Sequence, residues 1–400
     1  MDFNLLSNQL FIELLLGLVS VIFAELVRDV YHIAGHYWKP LQSSHTLHHK
    51  AYRRDLTIVS LEAYQKAQWN NDVPESLMMV GATAVVAGLS QNYGMWLGCL
   101  YSLGFLIAAI ARSQGLLLQT DLTHKPGDLV EIPSEWTVNR TYHWRHHFDQ
   151  GNAYFCGHFT LVDKLLGTSL SLKGKVVAIT GASGTLGQAL IEELCLQGAK
   201  VVALTSNNDA EFKPGIEILH WQLGAETDLT NRLKNVDILI INHGVNVHSD
   251  RSPESIQKSY EVNTFSALKL AELFLETVTE SSHKAIKELW INTSEAEVSP
   301  AFSPLYELSK RTLGDLITLR RLDAPCMIRK LILGPFKSQL NPYGVMDARW
   351  LSWAIVALAK RDFRDIIVTI NPITYIAFPI KEFFQSVYFR LCTSEQGKVK

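Results

Sequence analysis

Paired cysteines are missing from this 400-residue chain. Cys99, Cys156, Cys195, Cys326 and Cys392 stand far apart, with no CxxC spacing. That excludes a disulfide framework and reads as reduced thiols in a cytoplasm-facing protein. An excess of either charge is also missing: 37 Lys plus Arg stand against 39 Asp plus Glu, a net charge of −2. No electrostatic basis for binding nucleic acid remains. A cleavable export signal is absent as well, because no basic segment precedes the first apolar run and no small-residue cleavage site follows it. There is no internal repeat and no low-complexity segment.

Long apolar runs, in contrast, are present. One extends from Leu5 to Val27, interrupted by Glu13 and Glu25, and is long enough to cross a bilayer. The plainer alternative is a buried helix of a soluble bundle. A second block, Leu77 to Ala111, is broken by the turn-like string Ser90-Gln91-Asn92-Tyr93-Gly94 and predicts a helical hairpin. Lys39, Lys50, Arg53 and Arg54 follow the first run and Arg112 follows the block. Positive residues favour the inner side, so the segments after these spans are expected in the cytoplasm.

From Gly174 onward the pattern changes. Val176–Thr180, Lys200–Leu204, Val236–Ile241, Glu288–Asn292 and Met327–Leu333 predict buried parallel strands. Helical segments lie between them, such as Leu186–Leu196, Ser252–Thr277 and Pro304–Leu322. The expected fold class is therefore an all-α membrane domain over 1–168, a linker over 169–173, and an α/β doubly wound parallel sheet of Rossmann type over 174–400. At the end, Ile380, Phe383, Phe384, Val387, Tyr388 and Leu391 share one helical face. That face is expected either on a membrane surface or packed against the protein.

Ten of the fourteen histidines precede Thr168. They form three clusters: His32-x3-His36, His45-x2-His48-His49 and His143-x2-His146-His147. Spacings of three and four share a helix face, so each cluster aims two or three imidazoles at one point. Eight imidazoles exceed the needs of one ion and suit two, and neutral imidazole takes iron, zinc or copper. His124 completes the shell or supports it. Asp55, Asp121 and Asp149 lie near enough to orient imidazoles, or are ordinary solvated carboxylates. In order and spacing the clusters resemble the fatty acid hydroxylase/sterol desaturase superfamily over roughly residues 10–168, including the trailing Asn152, Gly157 and Asp163–Thr168. The resemblance implies a centre of two iron ions at the cytoplasmic membrane surface, using dioxygen to hydroxylate or desaturate a lipid. Its ligands would be His32, His36, His45, His48, His49, His143, His146 and His147, with His124 joining them.

The strand Val176–Thr180 runs directly into Gly181-Ala182-Ser183-Gly184-Thr185-Leu186-Gly187. A strand, a glycine-rich turn and a helix together make a dinucleotide fingerprint, in which the glycines let the backbone approach a pyrophosphate and the helix N-terminus attracts its charge. Tyr306 and Lys310 are one helical turn apart, so the ammonium is expected to lower the phenol pKa for proton exchange with an alcohol or carbonyl. Ser294 follows a strand, where its hydroxyl can bind the substrate oxygen, and Asn263 can hold a backbone carbonyl or a water. The set resembles the short-chain dehydrogenase/reductase family over roughly residues 172–340. That implies Tyr306 as acid/base, Lys310 on the ribose, Ser294 on the carbonyl and Asn263 in a proton relay. Thr180, Gly181, Ser183, Gly184, Thr185, Leu186, Gly187, Ser206, Asn242, Gly244 and Ser338 would join Tyr306 and Lys310 around the cofactor. The departures are Thr185 in place of a glycine, Asn242-His243-Gly244 in place of Asn-Ala-Gly, Gly334-Pro335 in place of Pro-Gly, and His220-Trp221-Gln222-Leu223 without the usual Asp. Thr205, Ser206 and Asn207 carry no carboxylate to repel a 2′-phosphate, which favours NADP, with NAD as the alternative.

Together the two halves predict a membrane-bound, lipid-modifying oxidoreductase. A nicotinamide gives hydride, whereas dioxygen chemistry takes single electrons, so an outside donor such as a ferredoxin or a cytochrome is expected. Two alternatives are a membrane-anchored NADP-dependent reductase with a structural metal domain, and a non-enzymatic nicotinamide-binding sensor.

Overall fold

The computed structural model describes residues 3–393. Its contacts divide it into two compact units, Met1–Ser169 and Leu170–Lys400. Leu170 and Leu172, within the expected linker, are buried in the core of the second unit.

The first unit is helical. Its elements are α1 (Phe3–Tyr37), α2 (Lys39–Lys50), α3 (Leu61–Ala67), α4 (Val73–Ser90), α5 (Trp96–Ser113), α6 (Arg140–Phe148) and α7 (Leu161–Leu166). A single wider turn, Gln68–Asp72, carries α3 into α4 without a break. Three stretches are long and apolar enough to cross a membrane: Asn8–Tyr37, Leu61–Ser90 and Trp96–Ser113. The hairpin predicted around Ser90–Gly94 is α4 and α5, with Gln91 in the left-handed conformation at the helix end. Gly98 lets α5 approach α1 closely: its amide donates to Ser20 Oγ at 2.8 Å, and a Cβ there would lie 2.7 Å from the Ser20 carbonyl carbon. Leu10, Phe11, Leu14 and Leu18 of α1 point outward, whereas Glu25 and Asp29 are buried. His124 was expected at the end of the third apolar helix. It lies instead in a separate one-turn helix, Leu122–His124, because α5 already stops at Ser113.

The second unit is a seven-stranded, wholly parallel sheet. Its elements are β1 (Val176–Thr180), α8 (Thr185–Leu196), β2 (Lys200–Thr205), β3 (Glu217–His220), α9 (Thr230–Leu233), β4 (Ile238–Ile241), α10 (Pro253–Tyr260), α11 (Ala267–Leu275), α12 (His283–Ile286), β5 (Glu288–Asn292), α13 (Pro304–Arg320), β6 (Met327–Leu333), α14 (Ala348–Ala359), β7 (Asp365–Val368) and α15 (Thr374–Cys392). The strand order β3-β2-β1-β4-β5-β6-β7 places the crevice at the ends of β1 and β4, where the winding direction reverses. Alternation along the strands feeds two cores. Val177 and Ile179 pack with Leu190 and Ile355 on one face, and Ala178 packs with Phe274 and Leu313 on the other.

The five strands read from sequence are the central ones. β3 and β7 lay outside that set because they are the sheet edges; β3 is mostly solvent-exposed and lacks a continuous apolar run. The single helix expected over Ser252–Thr277 is α10 and α11 joined by a wider turn, Glu261–Ser266. The tail helix forms as α15, but the apolar face named from sequence points outward: Ile380, Phe383, Phe384, Tyr388 and Leu391 are exposed. α15 is held from its other side by Thr374, Phe378 and Glu382. There Glu382 meets the fully buried Lys330 of β6 at 2.8 Å, and Lys330 also bonds Thr318.

Candidate active sites

In the first unit, α1 brings His32 and His36 to its last turns, α2 carries His45, His48 and His49, and α6 carries His143, His146 and His147. The structure sorts all nine candidates into two groups. One is His32, His36, His45, His49 and His146; the other is His48, His124, His143 and His147. Within each group the ring nitrogens lie within 4.8 Å of one another. Each HxxHH cluster is therefore shared: His45 and His49 serve the first group and His48 the second, while His146 serves the first and His143 and His147 the second.

Three of the outer nitrogens are anchored by hydrogen bonds. His146 Nδ1 donates to the Ala153 carbonyl at 2.8 Å, His124 Nδ1 to Asp121 at 2.9 Å and His45 Nδ1 to Asn71 Oδ1 at 3.3 Å. Anchoring Nδ1–H leaves the inner Nε2 as a lone pair. Those inner nitrogens crowd together: His45–His36 at 2.7 Å, His32–His146 and His49–His45 at 2.9 Å, and His143–His124 at 3.0 Å. Convergent lone pairs repel unless a cation lies among them, so the donor set fits one metal ion in each group. Burial pushes His45 down to about 3, with the charge of His48 adding to it. Burial also holds His143, His146 and His147 well below the usual imidazole range. Neutral rings are the form that binds metal.

Of the three proposed orienting carboxylates, Asp121 bonds a ligand candidate. Its own burial would raise its pKa, but His124 and Thr123 hold it well below the carboxylate range. Asp55 is tied to Thr57, and Asp149 accepts from Tyr154. The sequence reading missed Asn71 and Asp72, which flank His45 and His48 at 3.3 Å each. Both sit in the wide turn Gln68–Asp72, a feature frequent at functional sites. The available signal was the polar run Asn70-Asn71-Asp72 inside an apolar helix.

In the second unit, the turn after β1 forms a cradle. Gly181 has φ +62°, and a Cβ there would lie 2.9 Å from His243 Cα. At Gly187 a Cβ would come within 2.7 Å of the Ala182 carbonyl oxygen. Gly184 begins α8 with no side-chain cap, so the first helical amides stay open. Open amides above a glycine floor fit a pyrophosphate. Around the cradle, Ser183 Oγ lies 3.0 Å from Thr205 Oγ1, and the Asn242 amide donates to Thr180 Oγ1 at 2.9 Å. The unusual His243 bonds Thr180 Oγ1 through Nδ1 at 2.8 Å and meets Trp221 edge-on, which occupies the segment lacking an Asp. Ser206 is exposed, Leu186 is buried behind the turn, and Ser338 Oγ accepts from the Asn341 amide in the loop after β6.

Tyr306 and Lys310 occupy the start of α13, and Ser294 lies just beyond β5. Ser294 has φ +85°, a strained conformation for a non-glycine residue, as functional sites often contain. Its hydroxyl accepts from the Ala296 amide at 3.3 Å and is the neighbour that lowers the Tyr306 pKa. Lys310 Nζ donates to the Asn292 carbonyl at 2.8 Å. Asn263 sits in the wide turn between α10 and α11, accepts from the Val245 amide at 2.8 Å, and donates to the Val245 carbonyl and to Ser309 Oγ. One expectation changes. Burial raises the Tyr306 phenol, and Ser294, not Lys310, pulls it back. Burial pushes Lys310 itself down to about 8.

Residues 175–324 match the family model of the short chain dehydrogenases. The monoglucosyldiacylglycerol epimerase of Synechocystis sp. (strain PCC 6803) is 57% identical over 399 residues, covering 95% of this chain and 97% of that protein. An uncharacterized oxidoreductase of Bacillus subtilis, YvrD, is 28% identical over 168 residues, covering 37% of this chain and 62% of that protein. A Burkholderia cenocepacia short chain dehydrogenase, solved in complex with NADP, superposes with a TM-score of 0.46 at 19% identity, covering 56% of this chain and all of that one. The dehydrogenase match covers only the second unit, so the hydroxylase/desaturase resemblance of the first rests on its histidine spacing. The chain belongs to the family of the monoglucosyldiacylglycerol epimerase and carries a short-chain dehydrogenase domain behind its histidine-bearing helical unit.

Proposed function

We propose that this protein is a membrane-bound enzyme that epimerises one hydroxyl-bearing carbon in the sugar of a monoglucosyldiacylglycerol-like lipid. The observation that carries this reading is the Ser294–Tyr306–Lys310 set beside an intact dinucleotide cradle, in a chain 57% identical to such an epimerase over nearly its whole length. A nicotinamide, read as NADP with NAD as the alternative, supplies reversible hydride exchange when bound on the glycine turn. Inverting a carbinol carbon breaks its C–H and O–H bonds to give a ketone, then re-forms both with the hydrogen on the other face. Ser294 holds the sugar oxygen. Tyr306 takes the hydroxyl proton and returns it. Lys310, fixed on the Asn292 carbonyl, places its charge beside the site, and Asn263 positions the Val245 backbone and Ser309. The intact proton-transfer set argues against a non-catalytic sensor.

In the helical unit we read two metal sites: His32, His36, His45, His49 and His146 for one ion, and His48, His124, His143 and His147 for the other. Iron there would supply dioxygen activation toward a lipid C–H bond, with electrons from an outside ferredoxin or cytochrome. Epimerisation has no net redox change and calls for neither. The reductase with a structural metal domain is therefore the second reading, and the three membrane-length helices serve as the anchor in both. The positive-inside pattern supports a cytoplasmic side for both sites.

The test uses the full chain in glycerolipid nanodiscs with NADP⁺ or NAD⁺ and a monoglucosyldiacylglycerol deuterated at the sugar carbons. The expected product is the epimer with its deuterium retained. Tyr306→Phe should lower turnover by about 10²–10⁴-fold. Loss of deuterium to solvent, or turnover unaffected by Tyr306→Phe, would overturn the reading.

A further inference from the structure

The first unit encloses a cavity of about 470 Å³, within the roughly 300–1,000 Å³ typical of small-molecule sites. One wall is the histidine centre. The others carry Arg28, Asp72, Glu75, Tyr101 and Arg112, so all three membrane-length helices contribute a polar group. Ionisable residues at such positions are costly and serve function by default. Phe105, Ala108, Leu122 and Val138 share the lining, so apolar wall and a few polar groups face the same space, as in small-molecule sites generally. Most of these polar groups already have partners. Arg28 pairs with Glu25 at 2.5 Å, Tyr101 donates to Glu25 at 2.5 Å, and Arg112 donates to Gln68 and Thr120. Asp72 accepts from Asn71 at 2.9 Å. Glu75 differs: it lines the cavity from the first turn of α4 and has no hydrogen bond or ion pair among the described residues. Gly104 keeps the space open, since a Cβ there would meet nothing within 4 Å.

We propose that this cavity receives the polyhydroxylated head group of a membrane lipid, with Glu75 accepting from its hydroxyls, so that the histidine centre faces a sugar and not an acyl chain. The choice of a sugar rests on the glycolipid reading above. That the occupant carries hydroxyls rests on Glu75, which faces the cavity without a hydrogen bond or ion pair among the described residues. A carboxyl group without a partner gains hydrogen bonds from sugar hydroxyls and none from methylene groups.

The test uses the full chain in nanodiscs with two photoreactive monoglucosyldiacylglycerols. One carries a diazirine on the sugar and the other on the acyl chain, and labelled peptides are mapped by mass spectrometry. The sugar probe should label the segments around Glu75 and Tyr101, and excess unlabelled monoglucosyldiacylglycerol, but not diacylglycerol, should suppress that labelling. Glu75→Gln should weaken it by about tenfold, the scale of one hydrogen bond at a partly buried group, with metal content unchanged. Should that variant fail to fold, the competition in the natural protein decides alone. Sugar-probe labels confined to 170–400, equal labelling of the cavity by the acyl probe, or equal competition by diacylglycerol would each overturn the proposal. Epimer formation in the same sample separates the two readings. Turnover without cavity labelling by the sugar probe overturns only this proposal; cavity labelling without turnover overturns only the epimerase reading.

Discussion

On the epimerase reading, Lys310 is the residue whose ionisation sets the working range of the second site. Burial lowers it from its ordinary 10.5 to about 8, opposed by the charge of Glu297. If the ammonium supports Tyr306 and the cofactor, kcat/KM for epimerisation falls as pH rises through about 8 and the lysine loses its proton. Lys310→Arg should remove that limb, because a guanidinium stays charged there; an identical alkaline limb in this variant would exclude Lys310 as its origin. The stability sign is the reverse. The folded value lies below the unfolded one, so the unfolded chain binds more protons between about pH 8 and 10.5, and this group's contribution to stability increases across that window. Ser294 is the one neighbour that lowers the Tyr306 pKa, so on the epimerase reading its strained backbone belongs to the proton-transfer apparatus.

At the scale of elements, the turn between β1 and α8 tolerates little change. Gly187→Ala would put a methyl group within 2.7 Å of the Ala182 carbonyl, inside contact distance of a backbone that cannot yield cheaply. Nicotinamide binding, followed by quenching of protein fluorescence in the full chain, should weaken by at least tenfold; unchanged affinity would show that the turn does not cradle the cofactor. β6 shows a different constraint. It reads as a buried strand, yet carries Arg329 and Lys330 in its middle, both fully buried. Arg329 is matched by Glu288 at 2.8 Å and Lys330 by Glu382 at 2.8 Å. The Lys330 pair joins β6 to α15 and explains why that helix turns its polar side inward and leaves its apolar side exposed. In the helical unit, the wide turn Gln68–Asp72 interrupts a membrane-length helix just where Asn71 and Asp72 meet His45 and His48.

For the whole molecule, the two units imply separable losses. The two-group arrangement predicts two ions per chain. His146→Ala should reduce the metal content measured by plasma mass spectrometry toward one ion while His48, His124, His143 and His147 keep theirs. Loss of both ions together would mean a single shared site. Nicotinamide binding should be unaffected by this substitution. Much of this organisation was written locally in the chain. Apolar runs, histidine spacing, the glycine turn and the Tyr306–Lys310 interval are short-range patterns, fixed by helix and strand periodicity, and they located both candidate sites. Other features depend on residues distant in sequence, which no local period encodes. Among them are the sharing of each HxxHH cluster between two groups, the anchoring of His45 by Asn71, the edge strands β3 and β7, and the outward apolar face of α15. The cavity beside Glu75 belongs with these, because its walls come from helices and loops that meet only when packed. The sequence by itself determined two candidate sites and their order along the chain. Only the tertiary structure decided which side chains face each other, because lone pairs, buried charges and cavity walls acquire their energies from contacts made across the fold.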